Sequence, residues 1–231
     1  MSNRSVSRKN PQQRPGDSGY AQILRTLLFL SIPTIVEEVL ATLLQYVDTA
    51  MVGQLGEQAT ASVSITTNVT WLVNSVSGAV GTAILVLISK VSGAGDEKQV
   101  KKLSQQALFL ALASGVLLEI LSLILCPYIP VWMGAEPAIR DQASRYFFII
   151  SVPLVFRYVS TILGAALRAV QDTKTPMLIS LAANGLNIVL NYFLIYPAGM
   201  GVDGAAIASA VSYMLSGILM FVSCRKNSQL C

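Results

Sequence analysis

Five ionisable side chains, Glu37, Glu38, Asp48, Glu119 and Arg157, fall inside long apolar stretches of this chain. Charge at membrane depth is costly, so each is a candidate for holding or moving an ion. Glu37 and Asp48 are eleven residues apart. On a helix that is three turns plus about 20°, which sets both carboxylates on one stripe, roughly 16 Å apart along the axis. A second stripe, Ser180, Asn184, Asn187 and Asn191, has spacings of four, three and four, which keep it within about 40° of arc. An amide carries an acceptor and two donors, so this face belongs against other helices, a cavity or water. It reads either as glue between helices or as the lining of a polar site. Rise per residue places Asn191 roughly 22 Å from the cytoplasmic boundary and Ser209 roughly 10 Å from the outer one, in a core of about 30 Å. The two come out at nearly the same height, and Asp48 lies in the same outer half. One carboxylate, two amides and a hydroxyl make an all-oxygen set suited to a proton or a hard cation. Asp48, Asn187 and Asn191 are the candidate Na⁺ ligands, with Ser209 beside them. Glu37, Asn184 and Ser180 are candidates for a proton or substrate path.

Glu119 and Arg157 invite a structural reading. They sit at roughly 18 Å and 15 Å from the cytoplasmic face on sequential, antiparallel helices, so an ion pair between them is expected. Glu37 and Glu38 compete as partners for Arg157 at similar depth.

The elements that must position these groups are six apolar runs: Leu27–Val47, Val69–Ser89, Ala107–Ile129, Tyr146–Leu167, Pro176–Pro197 and Val202–Ser223. Each is about the 20 residues a spanning helix needs. Charged residues are only 12% of the chain, about half the share usual in soluble domains, and the mean hydropathy is +0.60. The connections leave no room for a soluble domain. The expected fold is all-α integral membrane, a six-transmembrane-helix bundle in which each helix satisfies its own backbone in lipid. Pro33 removes one hydrogen bond from the first helix, and a kink is expected there.

Positive charge sets the orientation. Arg4, Arg8, Lys9, Arg14 and Arg25, then Lys90, Lys98, Lys101 and Lys102, then Arg168, Lys174, Arg225 and Lys226 all fall on one side of a six-span topology. The other side has only Arg140 and Arg145. The positive-inside rule puts both termini in the cytoplasm of a multi-pass protein of the plasma (inner) membrane. The same distribution explains the net charge of +4 without a nucleic-acid surface. Residues 1–22 read as a disordered cytoplasmic tail, 23–224 as the six-helix bundle and 225–231 as a cytoplasmic C-terminal stub. The apolar run after the tail is too long for a signal-peptide h-region and has no cleavage site. Cys126, Cys224 and Cys231 show no metal or disulfide spacing.

Enzyme chemistry is poorly supported. The chain has no histidine, which removes H-E-x-x-H metalloprotease chemistry and any Ser–His triad. It has no G-x-S-x-G elbow. The GAGD stretch from Gly93 to Asp96 lacks the Lys-Ser/Thr of a P-loop and reads as a tight cytoplasmic turn. Trp132 reads as an interfacial anchor; Trp71 reads either as an anchor or as a cavity residue that stacks on substrate.

Four stretches carry a family resemblance. PTIVEEVLATLLQYVDTAMVGQLG, from Pro33 to Gly56, resembles the first helix of the multidrug and toxic compound extrusion (MATE) family. GTAILVLISKVSGAGD, from Gly81 to Asp96, is similar to its second helix and following loop. LRAVQDTKTPMLISLAANGLNIVLNYFLIYP, from Leu167 to Pro197, resembles its fourth loop and fifth helix, and GVDGAAIASAVSY, from Gly201 to Tyr213, the start of its sixth. The resemblance runs from about residue 23 to 224 and corresponds to the amino-terminal lobe.

It implies a secondary antiporter, not an enzyme, that exports cationic or amphipathic compounds in exchange for Na⁺ or H⁺. No cofactor beyond the coupling ion is implied. Carried over by motif, Asp48 matches the first-helix acid and Asn187 the asparagine of the N-x-x-L-D/N element. Asn191 falls where a number of members have Asp, and Ser209 where many have Thr; in those members the four positions form the cation site. The Asn at 191 leaves one motif carboxylate instead of two. The family has two six-helix lobes, and one lobe is half of an alternating-access machine. The chain therefore reads as a fragment of a twelve-helix protein or as a half-transporter that pairs with a second lobe. Two alternatives stand beside this reading. One is a lipid-linked oligosaccharide flippase, which calls for several buried cations where only Arg157 lies at depth. The other is an inert or regulatory half-lobe.

Overall fold

Lipid offers no partner for backbone N–H and C=O groups, so an apolar chain of this kind closes its hydrogen bonds within helices. The computed structural model describes residues 17–230, and eight helices form among them: α1 Asp17–Gly53, α2 Glu57–Gly93, α3 Glu97–Leu125, α4 Ile129–Trp132, α5 Pro137–Ser151, α6 Leu154–Ala169, α7 Lys174–Ile195 and α8 Gly201–Lys226. The six expected runs lie on α1, α2, α3, α5 with α6, α7 and α8. Among the described residues, α2, α3, α7 and α8 are each long and apolar enough to cross a membrane, and α5 with α6 forms a fifth, bent span.

The fourth span is broken, where one continuous helix was expected. α5 and α6 meet at 48°. Pro153 stands at the break as the residue before α6; it has no N–H to give, and its ring collides with the carbonyl four residues earlier. A helix that restarts here has orphan N–H groups at its first turn. One of them, on Val155, donates to Glu119 Oε2 of α3 at 3.1 Å.

Several boundaries also move. Residues 17–22, expected as disordered tail, belong to α1; residues 1–16 lie outside the described residues. α2 begins at Glu57, twelve residues before the expected Val69. Arg225 and Lys226, assigned to the C-terminal stub, are the last turn of α8, and Leu230 beyond them is fully buried. Cys231 lies outside the described residues. Pro33 sits inside α1. The GAGD stretch does form a tight turn: Gly95 takes φ 76°, open to glycine at little cost, and Asp96 caps α3 by accepting from the Gln99 N–H at 3.0 Å.

Helix α6 is the hub, packed on α2, α3 and α8. Its buried face includes Gly164, Ala165, Ala166 and Ala169, and that of α8 includes Gly204, Ala205, Ala206 and Ala208. Small residues let membrane helices approach closely enough for dispersion contacts to hold them. Gly217 of α8 shows the tightest case: a Cβ there would meet the Phe156 carbonyl oxygen at 2.5 Å. The outer faces are the reverse of a soluble protein. Leu110, Leu117, Leu121 and Ile124 repeat along α3 and are all exposed, a surface that water tolerates only at about 25 cal/mol per Å².

Candidate functional site

The polar face of the bundle borders a half-open cavity of about 580 Å³, lined from α1, α2, α5, α6, α7 and α8. That volume lies within the range of small-molecule sites. Its wall is mostly neutral polar: hydroxyls of Thr67, Thr70, Ser180 and Ser212, amides of Asn74, Asn184 and Asn187. Asp48 and Arg157 are the charged side chains among the described lining residues.

Periods of three and four along α7 aim its amides at α1 and α8, and the result is one hydrogen-bonded chain across three helices. Asn191 Nδ2 donates to Asp48 Oδ1 and to Asn187 Oδ1 at 3.2 Å. Asn187 Nδ2 in turn donates to Ser209 Oγ at 3.2 Å. The structure thus brings Asp48, Asn187, Asn191 and Ser209 together, with Asp48, Asn187 and Ser209 on the cavity wall and Asn191 fully buried behind them. Asn191 Oδ1 is buried with no hydrogen-bond partner among the described residues. A buried acceptor left open costs about 1–3 kcal/mol, so this oxygen marks the point where a further donor or ion gains most. Among the described residues no group of three or more His, Cys, Asp or Glu forms a metal cluster; the cluster here joins one carboxylate to neutral amides and a hydroxyl.

The second candidate set spans the cavity wall and the ion pair beside it, with Glu37 near Ser180. Asn184 and Ser180 line the same cavity, where Asn184 Nδ2 donates to Ser180 Oγ at 3.4 Å. Trp71 also lines it and is 74% exposed. Glu37 does not line the cavity. Its Oε2 accepts from Arg168 Nη1 at 3.0 Å, an ion pair joining α1 to the last turn of α6.

The expected ion pair of Glu119 with Arg157 is not formed. Glu119 caps the restart of α6, where a carboxylate also complements the positive helix end. Arg157 lies instead with its guanidinium carbon 4.4 Å from the centre of the Tyr213 ring of α8. The two side chains leave their helices in different directions, which rise per residue alone does not reveal. Sequence reasoning also missed Arg168 as a partner, because it counted that residue among the loop charges. It missed Tyr213, Ser160 and Ser216 as cavity residues as well. Ser160 and Ser216 follow Arg157 and Tyr213 by three positions each, a helical signal readable only once α6 and α8 are known to face each other. Trp132 is 68% exposed and stacks on Tyr128, ring centres 6.1 Å apart.

Comparison with known proteins places this architecture. The MatE family model matches residues 33–193. The probable multidrug resistance protein NorM of Thermotoga maritima is 32% identical over 206 residues, covering 87% of this chain and 44% of that protein. A FAD transporter of Shewanella oneidensis is 29% identical over 217 residues, covering 89% of this chain and 47% of that protein. Among solved structures, a MOP superfamily transporter from Pyrococcus furiosus superposes with a TM-score of 0.84 at 25% identity, over 89% of this chain and 46% of that one. The chain spans about half the length of the curated relatives it matches. With the motif spacing, the helical architecture and these matches in agreement, the chain belongs to the MATE family of multidrug efflux transporters.

Proposed function

We propose that this chain works as one lobe, residues 23–224, of an ion-coupled exporter of amphipathic organic compounds, cations among them. Asp48, Asn191, Asn187 and Ser209 hold the coupling H⁺ or Na⁺, and the cavity they border takes the substrate. The observation that carries this reading is the open Asn191 Oδ1, fully buried and one bond from the Asp48 carboxylate. A proton on Asp48, or a Na⁺ between carboxylate and amide, supplies the missing partner. Asn184, Ser180 and Trp71 border the substrate space, while Glu37 serves α1–α6 packing through Arg168.

Transporters built from repeats place the substrate between halves that move against each other. In this reading the lobe works opposite a second one, supplied by the same longer chain or by another copy. The protein sits in the inner membrane with the α2–α3 turn and the end of α8 on the cytoplasmic side, where their lysines and arginines favour them.

The test is gradient-dependent efflux of a fluorescent cation by the transport-competent assembly, with and without Asp48→Asn. The substitution is expected to lower coupled efflux at least tenfold, since about 1.4 kcal/mol of lost ion binding already gives that factor. Undiminished coupled efflux in the variant removes Asp48 from this role.

A further inference from the structure

Arg157 has no direct ion-pair partner among the described residues. Glu119 is committed to α6 and Glu37 to Arg168. It lines the same cavity as Asp48. Asp48, the carboxylate on that wall, accepts from the Asn191 amide and is given above to the coupling ion, which neutralises it. A guanidinium at membrane depth that makes no direct ion pair is costly.

The surroundings hold the group and leave its chemistry free. The guanidinium carbon lies over the Tyr213 ring, 4.4 Å from its centre. A ring face attracts the cation without supplying a counter-ion and leaves guanidinium N–H donors for an oxyanion. One turn along, Ser160 of α6 and Ser216 of α8 hydrogen-bond to each other with Oγ atoms 2.7 Å apart, and both line the cavity. They add hydroxyls beside the cation and no negative charge. The exposed indole of Trp71, on the same cavity wall, offers an apolar face to an aromatic body.

We propose that Arg157, stacked on Tyr213, is an oxyanion site, and that the cavity takes aromatic organic acids or zwitterions by their carboxylate. This rests on the cavity being the substrate site, as proposed above, and narrows the substrate class. The guanidinium forks onto the carboxylate in a bidentate pair. Asp48 stays with the coupling ion, so one cavity serves both charges without placing them on one residue.

The experiment uses the transport-competent assembly in detergent, titrated with three matched probes: 2-naphthylacetate, 2-naphthylacetamide and 2-naphthylethylammonium. Binding is read by tryptophan fluorescence and calorimetry. The wild-type assembly is expected to bind the carboxylate about ten- to a hundredfold more tightly than the amide, as hydrogen bonds to a charged partner predict. In Arg157→Gln that preference is expected to collapse to near one. Arg157→Met, which keeps the aliphatic stem, gives the same reading if the Gln variant does not fold. Saturable ammonium binding with no carboxylate preference in wild type overturns the oxyanion site alone. So does a preference that survives loss of the guanidinium. If wild type binds none of the three, the cavity is not a substrate site, and the functional proposal falls with it.

Discussion

Asn191 donates in two directions at once, to Asp48 and to Asn187, and its own oxygen is the open acceptor of the cluster. Asn191→Asp adds a second carboxylate and places it against Asp48. Two adjoining carboxylates share a proton or draw in a cation. This variant is therefore expected to bind Na⁺ at least tenfold more tightly, measured by Na⁺ titration of the purified chain; unchanged affinity would show that the two oxygens do not share an ion. Glu37 and Arg168 make a second, separable prediction. Their 3.0 Å pair has side chains only 14% and 27% exposed, so a double-mutant cycle with Glu37→Gln and Arg168→Gln is expected to give a coupling of about 1–3 kcal/mol. Thermal unfolding in detergent measures it, and additive effects would mean the pair contributes nothing. The second relationship is not visible in the residue order. Arg168 and Glu37 are 131 positions apart, and only the rotation of α1 and α6 about their axes brings them together.

The helices meet where their surfaces are smallest. At Gly217 a methyl group would strike the Phe156 carbonyl, so Gly217→Ala must push α8 off α6. It is expected to lower stability by about 1–3 kcal/mol, as overpacking does, and to pull the Arg157–Tyr213 and Ser160–Ser216 contacts apart. Gly185 of α7 is the control. It is exposed, and a methyl group there would meet nothing within 4 Å, so Gly185→Ala is expected to be neutral or to gain up to about 1 kcal/mol of helix propensity. Paired melting curves check both, and equal effects would show that close approach of α6 and α8 is not what Gly217 provides. The break before α6 follows the same logic of local cause. Pro153 breaks the span expected as continuous over Tyr146–Leu167, and its consequence, a freed Val155 N–H that claims Glu119, depends on which face of α3 lies opposite.

Across the entire bundle, a membrane orientation links the charges to the ends of the helices. Asp96 at the α2–α3 turn and Asn227 after α8 lie at one end, and Gln54 after α1 at the other. Single cysteines at 96 and 227, in a background lacking the native cysteines, are expected to react with an impermeant maleimide only from the cytoplasmic side, and one at 54 only from outside. Labelling of 54 and 227 from the same side would break the topology.

Apolar run length, charge placement and motif order were enough to read a membrane bundle and its family, because solvent preference and backbone satisfaction act on each segment independently of its neighbours. The meeting of Asp48, Asn187, Asn191 and Ser209 was also approachable from the chain, since helical rise converts residue number into depth. Depth is one coordinate of three. The direction in which Glu119 and Arg157 leave their helices, the seating of Arg157 on Tyr213 and the reach of Arg168 to Glu37 follow from helix rotation, bend and approach, which side chains from distant segments settle together only when they pack.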